Sequence, residues 1–182
     1  AGVCHVYVDK DANLDKAIPI LINSKTHRPS VCNAAETLLV HKDIAEKFLP
    51  MAMKALNESG VVMHVDQEAS KYAEVLGIRA QAATAADWST EYGVLEMNVG
   101  IVDSVEAASA HIAKYGTNHT ESIVTENKET ADKFVKLSDC AAVMINASTR
   151  FTDGEQMGFG AEIGISNQKL HARGPMGLEQ MT

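Results

Sequence analysis

The chain predicts an α/β fold with helices packed on a mostly parallel sheet, and three observations carry that prediction. Short β-branched or aliphatic runs at 3–8, 37–41, 61–65, 94–102, 121–125 and 141–145 read as strands. Amphipathic stretches of helical period separate them, giving the order strand, helix, strand, helix along the chain. A length of 182 residues with 46% hydrophobic content suits one globular domain, or a domain and a half, with a sizeable core.

Each element has a local reason. Val3–Val8 alternates and is β-branched, as a strand should be. Asn13 caps a helix that carries Ala17, Ile18, Leu21 and Ile22 and runs to about Thr26, with a kink expected at Pro19. Pro29 forces Arg28 out of the helical region, so the chain turns, presents Cys32 and enters strand 37–41. Asp43 is read as the cap of a helix with Ile44, Phe48, Met51, Ala52 and Ala55 on one face, ended by Gly60. Strand 61–65 follows, then a short helix over 69–76 and a loop over 80–86. The run 94–102 reads as a strand broken at Gly100. Ser104 then caps a helix with Val105, Ala108 and Ile112 on its inner side, closing at Gly116. Strand 121–125, helix Lys128–Leu137 and strand 141–145 complete the alternation, and from Asn146 the chain is glycine-rich and irregular.

A formal net charge of −8 with interspersed charges argues against nucleic acid and anionic membrane as partners. Cys4, Cys32 and Cys140 are odd in number and widely spaced, so a disulfide framework is not expected and a cytoplasmic setting is. No run has the length of a membrane span. The chain opens on Ala1-Gly2-Val3 without Met and ends without a tail, and it reads as cut from something longer.

Cys32 is the candidate for chemistry. It sits among Ser30, Asn33 and Thr37 beside His27 and Arg28, two cations that would lower its pKa and favour a nucleophilic thiolate. The competing reading is a partly buried turn cysteine. Cys4 and Cys140 lie in or beside apolar runs and read as buried, inert thiols. The stretch Asp9–Asp15 imitates the start of a calcium loop, but Leu14 replaces the turn glycine and Ile20 the final Glu. The histidines lack metal-ligand spacing, so no metal site is expected. Gly158-Phe159-Gly160-Ala161-Glu162-Ile163-Gly164 has the wrong spacing for a dinucleotide fingerprint and follows no strand. It reads as a loop that lets backbone approach a ligand or neighbouring domain.

Five ordered segments carry a resemblance: Cys4–Asp9, Arg28–Leu39, His111–Ile123, and the pair 146–154 and 168–179. With them the chain resembles the gamma-glutamyl phosphate reductases (glutamate-5-semialdehyde dehydrogenases) of the aldehyde dehydrogenase superfamily, over roughly the C-terminal half of that family's chain. The resemblance implies an aldehyde-dehydrogenase-like catalytic domain over residues 1–165, with helices on both faces of the sheet. It implies a segment 166–182 returning toward a cofactor domain outside this chain. It further implies NADPH-dependent reduction of L-glutamyl 5-phosphate to L-glutamate 5-semialdehyde and phosphate, in proline biosynthesis, through a thioester on Cys32. NADPH would be held mainly by the N-terminal domain, and the full-length protein would be a homo-oligomer.

The resemblance places Glu91 on the nicotinamide ribose, against the alternative of a solvated loop carboxylate. Arg28 and Arg150 are candidates for the substrate's carboxylate or phosphate, or are structural. Arg173 is expected at a domain interface. The general-base Glu of hydrolytic relatives would precede the strand at 3–8, where Gly2 stands. Two alternatives remain: an acylating aldehyde dehydrogenase for another acyl donor, and a catalytically silent domain. The isolated chain is expected to be inactive.

Overall fold

The structure is a computed structural model and describes residues 1–182. Seven strands form one sheet: β1 Cys4–Val8, β2 Ala35–His41, β3 Val62–Val65, β4 Ala80–Ala82, β5 Glu96–Val102, β6 Thr120–Val124 and β7 Ala142–Ile145. Their order is β4-β3-β5-β2-β1-β6-β7, and every pairing is parallel. The helices are α1 Leu14–Thr26, α2 Lys42–Glu58, α3 Gln67–Leu76, α4 Val105–Tyr115 and α5 Lys128–Leu137. A separate antiparallel pair, β8 Gly164–Ser166 and β9 Gly174–Met176, follows the last irregular stretch. No helix is long and apolar enough to cross a membrane.

Strand periodicity sorts the core into two layers. Val6 and Val8 of β1, Leu38 and Val40 of β2 and Val99 of β5 pack under α1, α2 and α3. The intervening residues Tyr7, Leu39 and Ile123 point to the opposite face, under Val105, Ala108 and Ile112 of α4 and Phe134 of α5. Helices therefore cover both faces, as expected.

Several elements differ from the sequence expectations. The cap of α2 is His41, whose Nδ1 accepts from the Asp43 N–H at 3.1 Å, while Asp43 lies in the first turn. The reason is that β2 runs into α2 without a loop, so the last strand residue has to cap. The buried stripe of α2 is Ala45, Phe48, Leu49, Ala52, Met53 and Leu56, at the i, i+3, i+4 period. Met51 is exposed, on the other side of the helix. α1 continues through Pro19, which is exposed. Residues 80–82 form a short edge strand on β3 instead of a loop. Gly100 does not break β5, because it pairs with Leu39 in register. Its missing side chain makes room for the Trp88 ring and the Asp66 carboxylate, which would stand 3.1 and 3.2 Å from a Cβ there.

Candidate active site

Cys32 lies on the turn between α1 and β2, at the amino ends of β1 and β2. The His27 N–H closes α1 on Asn23, Pro29 keeps Arg28 out of the helix, and Val31 N–H and Ala34 N–H close short turns on Arg28 and Val31. Ala34 and Ala35 then drop into the core. Cys32 itself is half-buried and unbridged.

Three segments meet on its main chain. Gly2 packs directly on the Cys32 carbonyl: a Cβ at Gly2 would lie 1.5 Å from that oxygen. The Cys4 thiol donates to the same carbonyl at 3.3 Å. The Gly2 N–H donates to Glu91 Oε1 at 2.7 Å. Glu91, predicted from sequence, thus stands one hydrogen bond from the segment that packs on Cys32. Its side chain is exposed, and its second oxygen makes no hydrogen bond within the chain. No backbone carbonyl accepts from the Cys32 N–H.

Arg28 and Arg150 are also brought together. A hollow of about 400 Å³ is lined by Asn23, His27, Arg28, Arg150, Phe151, Asp153, Glu155 and Gln156. Arg150 Nε donates to His27 Nδ1 at 3.3 Å, and its Nη1 donates to Asn33 Oδ1. Asn33, the residue after Cys32, is buried and also donates to the Thr152 carbonyl at 2.7 Å. Arg173 pairs with Asp139 at 3.0 Å, so within this chain it ties β9 to the α5–β7 turn.

The expected lowering of the Cys32 pKa is not what the site produces. Burial pushes the thiol up, the Glu162 carboxylate pushes it further, and its own backbone N–H opposes them. His27 and Arg28 are exposed and face the hollow, where His27 Nδ1 accepts from Arg150 Nε. Glu162, which accepts from the Gly154 N–H at 2.6 Å, was not singled out from sequence. The expectation for the other two thiols is half right. Cys4 is fully buried and held well above the ordinary thiol range, chiefly by burial. Cys140 is only partly buried, and burial raises it to about 12.

The structure also reveals a buried ion pair missed in the sequence: Lys25 Nζ lies 2.6 Å from Glu36 Oε2, with both side chains fully buried. A signal was available. Lys25 follows Ala17 and Leu21 on the inner stripe of α1, and Glu36 shares the phase of Leu38 and Val40 in β2. Opposite charges on two core-facing phases point to a pair. No group of three or more His, Cys, Asp or Glu side chains is placed to hold a metal ion.

No protein-family model matches the chain. It is 56% identical over 181 residues to a gamma-glutamyl phosphate reductase from Thermobifida fusca, covering 100% of this chain and 42% of the relative. It is 57% identical over 185 residues to the enzyme of that name from Bifidobacterium adolescentis, covering 100% and 43%. The crystal structure of gamma-glutamyl phosphate reductase from Thermotoga maritima superposes with a TM-score of 0.93 at 51% identity, covering 100% of this chain and 43% of that one. An acetylating aldehyde dehydrogenase from Geobacillus thermoglucosidasius shares the fold at 20% identity, with a TM-score of 0.67 and coverage of 91% and 45%. The chain therefore has the aldehyde-dehydrogenase-like α/β fold. It spans less than half the length of the curated relatives it matches.

Proposed function

The chain matches a C-terminal portion of the gamma-glutamyl phosphate reductases from end to end, and from that premise we propose that it supplies the nucleophile half of such an enzyme. The reaction is NADPH-dependent reduction of L-glutamyl 5-phosphate to L-glutamate 5-semialdehyde, with release of phosphate, in proline biosynthesis. The observation that carries the reading is the convergence of Cys32, Gly2 and Glu91 on one turn.

In this reading the Cys32 thiol gives up its proton to solvent and its sulfur attacks the acyl phosphate carbon. The C–S bond forms, the carbonyl π electrons move to oxygen, and their return expels phosphate to leave a thioester. The Cys32 N–H, free of any backbone acceptor, is the chain's donor for that oxyanion. NADPH, when bound, would supply the hydride that reduces the thioester carbon, after which the C–S bond breaks, the semialdehyde leaves and the sulfur returns to Cys32. The free oxygen of Glu91 suits the hydroxyls of its ribose, while the other oxygen is fixed by Gly2. Gly2 presents no side chain toward Cys32, so this residue contributes no base to activate water against the thioester.

The hollow beside the turn suits an amino-acid head group. Arg28 and Arg150 complement a carboxylate or phosphate, and Asp153 and Glu155 complement an ammonium. Residues 1–165 form the catalytic domain of this proposal, and 166–182 return toward a cofactor domain. The exposed apolar side chains of Leu170, Leu178 and Met181 support that assignment. The working enzyme is a cytoplasmic homo-oligomer acting on a small molecule, without nucleic acid or membrane partners.

The test is Cys32→Ser in the full-length protein that contains this chain, assayed with semialdehyde, NADP⁺ and phosphate. Turnover should be lost, and near-normal turnover would remove Cys32 from the mechanism. Replacing phosphate by coenzyme A in the same assay separates this reading from an acylating aldehyde dehydrogenase.

A further inference from the structure

The Lys25–Glu36 pair takes no part in the chemistry proposed above, and stability alone does not account for it. Two ions withdrawn from water cost several kcal/mol each, and apolar replacements of similar volume are commonly neutral or stabilising. Burial acts on both partners, lowering Lys25 and pushing Glu36 up to about 7.

The geometry gives the pair another task. Glu36 Oε2 takes Lys25 Nζ, while Oε1 reaches out of the sheet and accepts from the Gly93 N–H at 3.4 Å. Gly93 belongs to the segment 90–95 that enters β5 without regular structure, and its φ of +65° is one that favours glycine. The next residue back, Tyr92, lies with its ring 6.0 Å from Lys25 Nζ and anchors its hydroxyl on Asn98 at 2.8 Å. Glu91 precedes these two anchored residues. Its carboxylate has one oxygen on the Gly2 N–H, and Gly2 packs on Cys32.

Resting on the function proposed above, we propose that the buried Lys25–Glu36 pair is a positioning device, which fixes the main chain at Gly93 and thereby sets where Glu91 stands relative to Cys32 and the nicotinamide ribose. Neither residue touches the reacting atoms. Their effect passes through the backbone of one loop.

The test is the double variant Lys25→Met with Glu36→Leu in the full-length protein. Lys25→Met with Glu36→Met is the substitute if the first does not fold. The melting temperature should stay close to that of the parent, since the pair is exchanged for apolar volume. Hydrogen exchange of the peptide covering 90–95 should accelerate on the order of tenfold, with β2 unchanged. The KM for NADPH should rise about tenfold, and the KM for the acyl substrate should stay within about twofold. Unchanged exchange in 90–95, or an unchanged KM for NADPH in an active variant, overturns the proposal. The exchange readout needs no turnover. A parent that lacks reductase activity, or that keeps it as Cys32→Ser, therefore counts against the proposed function, whereas a silent exchange experiment counts against the positioning role.

Discussion

Gly2 and Cys32 are in main-chain contact at the start of the sheet, with no space between them for a methyl group. The strand that contains Cys4 and the turn that presents Cys32 are therefore held in one relative position by the absence of a side chain. The Cys4 thiol closes the same contact from inside.

The first prediction follows from that contact. Gly2→Ala must push the Cys32 carbonyl or the strand away, and a displacement of about 1 Å at a reacting group costs on the order of 10²-fold in rate. Steady-state assay of the full-length variant should show kcat lowered by about that factor, with circular dichroism unchanged. A variant with parental kcat would mean that the segment before β1 moves without disturbing the turn.

The second prediction concerns the Cys32 thiol. Burial and Glu162 hold its pKa above the ordinary value of 9.0, so thiolate is scarce at neutral pH. The rate of iodoacetamide labelling at Cys32 should climb through pH 9 without levelling below it. Glu162→Gln removes the second cause and keeps an acceptor for the Gly154 N–H. It should shift the labelling curve to lower pH. A parental curve that levels off near pH 7, or an unshifted Glu162→Gln curve, contradicts the assignment.

Local patterns explain why some of this was legible in the sequence. The helix Lys128–Leu137 and the caps at Asn13 and Ser104 stand where expected, because capping depends on neighbouring residues alone. The errors arise where a distant residue decides. Gly100 looked like a break, but Trp88 fills the space it leaves. His41 caps α2 only because β2 ends there. The Cys32 turn was recognised from Pro29 and the flanking polar residues. Its electrostatics differs from expectation, because burial raises the thiol and the carboxylate that adds to it, Glu162, lies 130 residues along the chain. Arg28 and Arg150 are each, from sequence, candidates for an anion or structural residues, and only the fold puts them in one hollow.

The third prediction is a pH dependence of stability. Burial, then the charges of His5 and Lys114, lower His111 from 6.5 to about 4. A base whose folded pKa is depressed contributes stability that is present above pH 6.5 and is lost as the pH falls through 4. His111→Phe keeps a ring against Trp88 and Tyr115, which lie 5.0 and 4.7 Å away. Urea unfolding between pH 7 and 4 should then show a loss of stability smaller by about one proton's slope than in the parent. Glu36, raised from 4.5 to about 7, acts with the opposite sign over that range and cancels in the difference. Parallel curves for variant and parent would show that His111 does not titrate differently on folding.

The last prediction separates binding from positioning among the two arginines. Arg28 is exposed, and its side chain makes no hydrogen bond or ion pair within the chain. Its guanidinium is available to a ligand in the hollow. Arg28→Ala should raise the KM of the acyl substrate about tenfold and leave kcat near its parental value. Arg150 differs, because Nε and Nη1 are already committed to His27 and to Asn33, the neighbour of Cys32. A lysine has no fork to hold both partners. Arg150→Lys should therefore lower kcat as well as raise KM, since it loosens the turn that carries the nucleophile. In both variants the KM for NADPH should stay within about twofold, because Glu91 is fixed from the other side through Gly2. If Arg150→Lys changed KM alone, its bonds to His27 and Asn33 would have no part in orienting Cys32, and both arginines would act on the substrate as point charges.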